Sequence, residues 1–173
     1  PGQPERMHGV CWAVDQAHLA GTDREAAETA PCPASPMLPL TVVCIEDDTL
    51  NLLLVENLIA TRRHITLKSA ADGLAGLEAV RQHRPELVLI DLQLPGVDSW
   101  EVLRQIRSDP LLASTLCVAL SAGARPQDHE LVHSGGFDAC WSKPLQVRQF
   151  LASLDALALG QPLPTTRGQA ALA

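Results

Sequence analysis

Five times over, between residues 40 and 159, a short apolar run is followed by a stretch of helical length, and few folds accommodate that order. LTVVCIE (40–46), HITLKSA (64–70), ELVLID (86–91), STLCVALSA (114–122) and FDACWS (137–142) read as strands. The continuous apolar, β-branched ones suit strands buried on both faces. DTLNLLLVENLIATRR (48–63), with Asp48 or Thr49 placed to cap it, DGLAGLEAVRQHR (72–84), DSWEVLRQIRSD (98–109), RPQDHELVHSGG (125–136) and PLQVRQFLASLDALAL (144–159) read as helices. Pro85, Pro110 and the pair Gly135 and Gly136 stop three of them, and Pro144 stands at the first turn of the last. The leucine stripe of the first helix reads as core. Strict alternation of this kind folds as a parallel sheet with helices on both faces, the doubly wound α/β class, here with five strands.

In such sheets ligands gather beyond the carboxyl ends of the strands, so the residues that end each strand carry the functional reading. They are Glu46, Asp47 and Asp48 after the first strand, Asp91 at the end of the third, Ser121 at the end of the fourth and Lys143 after the fifth. Carboxylates brought to one edge repel unless a cation sits among them, and hard oxygen ligands suit Mg2+. A lysine and a hydroxyl facing that cluster supply the positive charge and hydrogen-bond donor that a phosphoryl group needs. Taken singly, each has a plainer reading: helix caps for the first acidic residues, Asp48 above all, a loop carboxylate for Asp91, a solvated surface charge for Lys143. The fold brings them to one edge, and together they read as a phosphorylatable carboxylate with its metal site and its phosphate clamp.

VVCIEDD, LVLIDLQLPGVDSWEVLRQIR, VALSA and GGFDACWSKPL, in that order and spacing, resemble the receiver domain of two-component response regulators, over about residues 40 to 159. The resemblance implies a flavodoxin-like (βα)5 fold with strand order 2-1-3-4-5. It implies Asp91 as the phosphoacceptor and Glu46 and Asp47 as the acidic pair for Mg2+, Asp47 directly and Glu46 through water. It further implies the backbone carbonyl of Gln93 as a metal ligand, Ser121 as the switch hydroxyl, and Lys143 as its salt-bridge partner with a cis bond to Pro144. Phosphorylation would then be read out on the face built from the helix over 125–136, the fifth strand and the last helix. The resemblance implies a phosphohistidine on a histidine kinase or phosphotransfer protein as the phosphoryl donor, and dimerisation through that same face is common in the family. Two positions depart from the pattern. Cys140 stands where the family has Tyr or Phe, with the aromatic Trp141 one place later, which puts coupling through an aromatic rotamer in doubt. Ser99 replaces a glycine, which is expected to matter little. The Gln93 side chain reads first as an exposed residue, and orientation of an attacking water is its other reading.

The flanks set the context. Residues 1–38 read as an N-terminal extension and linker, 39–159 as the receiver domain and 160–173 as a flexible tail. GVCWAVDQA (9–17) resembles the last strand of a histidine-kinase ATP-binding domain. With a start at Pro1 rather than Met, it favours the C-terminal receiver of a hybrid sensor histidine kinase over a stand-alone regulator. A histidine box and Gly-rich ATP motifs are absent, so these residues perform their own phosphorylation and dephosphorylation but no kinase reaction from ATP. The formal net charge of −7 argues against a nucleic-acid partner, and no apolar run reaches the roughly 20 residues of a membrane span. Cys11, Cys32, Cys44, Cys117 and Cys140 show no C-x-x-C spacing, and three lie in apolar runs, as expected of a reducing, cytoplasmic setting. A degenerate receiver that acts only as a binding module would have lost one of Asp91, Lys143 or the acidic pair, and none is lost. HELVH (129–133) matches the zinc-peptidase helix motif. No His or Glu follows His133 to supply a third ligand, so the match reads as chance.

Overall fold

The computed structural model describes residues 36–123, 132 and 134–163. Its elements run β1 (Leu40–Ile45), α1 (Thr49–Ala60), β2 (Ile65–Ala70), α2 (Gly73–His83), β3 (Leu87–Asp91), α3 (Ser99–Ser108), β4 (Leu116–Ser121), β5 (Ala139–Ser142) and α4 (Val147–Ala158). Every strand pair is parallel and the order is β2-β1-β3-β4-β5, the doubly wound flavodoxin-like arrangement read from the alternation and the family resemblance. Of the helix expected over 125–136, only Val132 and residues 134–136 are described. GVCWAVDQA, His129, Glu130, His133 and the segment from 164 on lie outside the described residues.

β1, β3 and β4 are buried on both faces, the edge strand β2 exposes Thr66, Lys68 and Ser69, and successive side chains sort into two cores. Val43, Ile45, Val88, Ile90, Cys117 and Ala119 pack with Leu77, Val80, Val102, Leu103 and Ile106 of α2 and α3. Val42, Cys44, Leu87, Leu89, Val118 and Leu120 pack with Val55, Ile59, Phe150 and Leu154 of α1 and α4. The same alternation separates the two residues at the departure from the family pattern. Cys140 belongs to the α2–α3 core, while Trp141 turns to the other face and meets Phe150 edge-on at 5.6 Å. Trp141 therefore does not stand in for an aromatic at position 140.

Three helices start on an aspartate whose side chain accepts backbone N–H groups of the first turn: Asp48 for α1, Asp72 for α2 and Asp98 for α3. α2 is seated against β1 at Gly76, where a Cβ would come within 2.3 Å of Ile45 Cδ1. Only glycine lets the helix approach the last residue of β1 so closely. Two expectations are corrected. The leucines of α1 are only in part a core stripe: Leu52 and Leu58 pack against the core beside buried Val55 and Ile59, while Leu50, Leu53 and Leu54 are 77%, 46% and 36% exposed. They ring the helix so evenly that apolar periodicity selects no face, and only the strip touching the sheet is covered. Pro144 does not open α4 either. The helix begins at Val147 behind Gln146, and Pro144 lies in the preceding turn, joined to Lys143 by a cis peptide bond.

Candidate active site

Three strand ends and one turn build the site. Ile45 ends β1 beside Ile90 of β3, so Glu46 and Asp91 leave adjacent strands at the same edge, where the chain connections diverge to opposite faces. Lys143 follows β5, and its backbone N–H donates to the Ser121 carbonyl at 2.8 Å, which brings the lysine back over the edge of β4. The ammonium then reaches across to Asp91 Oδ2 at 2.8 Å and to Glu46 Oε1 and Oε2 at 2.9 and 2.8 Å. Glu46 and Asp91 are 1% and 3% exposed, whereas Asp47 faces solvent.

The two buried carboxylates are held by different neighbours. Asp91 Oδ1 accepts the Gln93 backbone N–H at 3.1 Å, and the Asp91 carbonyl accepts the Ser99 hydroxyl at 2.5 Å. Glu46 Oε1 accepts the Asn51 side-chain amide at 3.2 Å and the Asp48 backbone N–H at 3.4 Å. Burial, with a smaller contribution from the charge on Asp91, pushes the Glu46 carboxyl above its ordinary range, although Lys143 and Asn51 pull it down. Burial works against the charge on Lys143 too, but its bonds to Asp91 and Glu46 prevail and raise its pKa. Despite the ion pair with Lys143, Glu46 Oε2 has no hydrogen-bond partner among the described residues, so this edge lacks an aligned donor or a second cation for a buried carboxylate oxygen.

That deficit is the fit test for a cation. One oxygen from each of Glu46, Asp47 and Asp91 lies within 4.8 Å of the others, an all-oxygen donor set suited to a hard divalent ion. No ion pair is formed by Asp47 among the described residues.

Of the residues read from the sequence, Glu46, Asp47, Asp91 and Lys143 converge. Ser121 reaches the same edge, but its hydroxyl donates to the Gly123 carbonyl at 3.0 Å and accepts the Gly123 N–H at 3.2 Å. Gln93 contacts Asp91 through its backbone N–H, and its side chain is exposed. Ser99, expected to matter little, is buried and braces the Asp91 backbone. Asn51 escaped sequence reasoning altogether, since a contact across a strand–helix turn follows neither helical nor strand periodicity.

Against known proteins, residues 42–155 match the family model of the response regulator receiver domain. The chain is 35% identical to the polar-differentiation response regulator DivK of Brucella anthropi over 117 residues, 68% of this chain and 94% of that one. Among solved structures it is similar to the manganese-bound form of the response regulator Rcp1, at 26% identity and a TM-score of 0.56, covering 70% of this chain and 91% of that one. It is also similar to the phosphorylated cyanobacterial phytochrome response regulator RcpA, at 26% identity and a TM-score of 0.57, over 70% and 89% of the two chains.

Proposed function

The chain belongs to the response regulator receiver domain family, a module of two-component signalling, and on that premise we infer that it takes a phosphoryl group from a partner's phosphohistidine onto Asp91. One observation carries the assignment: Asp91 is buried at the strand edge with Lys143 at 2.8 Å and two further carboxylates beside it. In the transfer, the phosphorus–nitrogen bond of the donor breaks as a bond to an Asp91 oxygen forms, and the imidazole departs with its electron pair. Little covalent work falls to the protein, so positioning and charge compensation supply most of the rate. The Gln93 N–H and the Lys143 ammonium each hold one Asp91 oxygen, which fixes the carboxylate plane for in-line attack. Lys143 is also placed to compensate charge on the arriving group. Ser121 serves as a second donor once its hydroxyl leaves Gly123. Attack by water on the acyl phosphate releases phosphate and restores the carboxylate.

Glu46, Asp47 and Asp91, with the Gln93 carbonyl, are the residues that would hold Mg2+. When bound, Mg2+ would offset the negative charge that phosphoryl transfer brings to this edge. The manganese in Rcp1 and the phosphoryl group in RcpA support this reading at the level of the family. The partner is a histidine kinase or phosphotransfer protein, residues 39–159 form the receiver, and the setting is the cytoplasm; no helix among the described residues is long and apolar enough to cross a membrane.

The test is intact mass after incubation with acetyl phosphate, with and without Mg2+, for the wild type and Asp91→Asn. A gain of one phosphoryl group that needs Mg2+ and disappears in Asp91→Asn is expected. A well-folded wild type that takes up no phosphoryl group would sink the assignment and leave a binding module in its place.

A further inference from the structure

Glu46 needs a second anchor, because Lys143 serves two carboxylates. Lys143 pairs with Asp91 and with Glu46, hydrogen-bonding the Oε1 of Glu46, and on the phosphoacceptor reading a phosphoryl group on Asp91 draws the ammonium toward itself. Glu46 then keeps the Asn51 amide at 3.2 Å and the more distant Asp48 N–H at 3.4 Å. Asn51 is the third residue of α1 behind the capping Asp48. At that position Glu or Gln would complete a capping box, and an acidic group would meet the positive end of the helix dipole. Asparagine instead competes with the helix for backbone hydrogen bonds. The chain sets the better helical choice aside, and among the described residues the Asn51 side chain bonds to Glu46 alone.

The chemistry of the amide suits the task. A lysine or arginine at position 51 would hold Glu46 as well but would compete with a cation for its charge. A glutamate would repel it. A neutral donor fixes the carboxylate and leaves its charge available. Resting on the receiver reading, we propose that Asn51 is a positioning residue for the divalent-cation site, holding Glu46 toward that site independently of Lys143.

The experiment is a Mn2+ titration of the full chain, with the free ion counted from its electron paramagnetic resonance signal, for wild type, Asn51→Ala, Glu46→Gln and the double variant. Alanine is the better helix former, which offsets part of the hydrogen bond lost from the buried Glu46 carboxylate, so metal-free Asn51→Ala is expected to stay folded and melt close to wild type. Its Mn2+ affinity is expected to fall about five-fold, the equivalent of one ordinary hydrogen bond. That loss disappears when Glu46 is already Gln, because Asn51 acts only through it. Unchanged affinity in Asn51→Ala, or an equal loss with and without Glu46, overturns the proposal while the cation site stands. A wild type that binds no Mn2+ overturns the cation site and the proposal together. Acetyl phosphate labelling of the wild type reports separately on the receiver reading.

Discussion

At the amino-terminal edge of the sheet, Arg62 and Arg107 are matched with carboxylate partners, whereas at the carboxyl edge Glu46 and Asp91 share one ammonium and Asp47 has none among the described residues. Arg62 lays its guanidinium along both oxygens of Asp155, at 2.8 and 3.0 Å. Arg107 donates to the carbonyls of Ala113, Thr115 and Gly136 and to the Asp138 carboxylate, and that carboxylate also accepts the Cys117 N–H at 2.7 Å. Glu86 accepts the Thr41 N–H at 2.7 Å. Across the sheet, Glu46 and Asp91 divide Lys143, and Asp47 has no cation at all among the described residues. One edge is closed electrostatically and ties loops together. The other is left open to a cation and an anionic group, and that shortfall of positive charge distinguishes a site from a structural network of the same residue types.

The largest effect is expected from Arg107→Ala. It removes the donors that join the loop before β4 to the loop before β5, leaving three carbonyls and the Asp138 carboxylate to find other partners. Most of these contacts are solvent-exposed, so a loss of about 1–2 kcal/mol is expected, read as a lower urea midpoint with unchanged denaturant slope. A shift below about 0.5 kcal/mol, ordinary for a surface change, would mean that the closed edge owes its stability to packing alone.

How far each edge was legible in the sequence follows from what periodicity encodes. Glu46, Asp47, Asp91 and Lys143 were legible because strand–helix alternation dictates which residues end strands, and strand ends share an edge. The face of α1 was not legible: leucines on every side leave the hydrophobic pattern without a direction, and contact with the sheet alone decides that Val55 and Ile59 go in and Leu50 stays out. Pro144 was misplaced because a proline before a helix can open its first turn or sit in the bend ahead of it. The turn of Ser121 toward Gly123 and the Asn51–Glu46 bond depend on side-chain torsions that no spacing records. Arg107 went unnoticed because its partners, carbonyls and one aspartate in two loops, carry no residue-type signature.

A smaller effect of opposite sign is expected at the open edge. Asp47→Asn removes one of the crowded charges, and without divalent ions it is expected to stabilise the fold by about 1 kcal/mol, the order of two charges about 4 Å apart in a water-like dielectric, as suits an exposed carboxylate. Adding Mg2+ reverses the ranking. Wild type gains stability by binding the ion in its folded form, and Asp47→Asn gains less. Melting curves with EDTA and with excess Mg2+ read both halves. If Asp47→Asn destabilises in EDTA, the carboxyl edge is balanced after all, and the contrast between the edges fails.

The smallest expected effect concerns a site where the closed edge is itself imperfect. Arg84 ends α2 with φ +44° and ψ +61°, the left-handed region that a residue with a Cβ enters at a cost and glycine enters freely. Its N–H still closes the helix on the Val80 carbonyl at 2.8 Å, and its side chain is exposed. Arg84→Gly therefore keeps the cap and relieves the backbone, but it also loosens the unfolded chain, which takes back part of the gain. A net stabilisation of roughly 0.5 kcal/mol is expected, resolvable in a urea titration run beside Arg107→Ala. Two arginines at the same edge would then move stability in opposite directions, one because its side chain joins two loops and one because its backbone only ends a helix. A loss of stability in Arg84→Gly would instead mean that the arginine side chain has a partner at this edge worth more than the conformational relief.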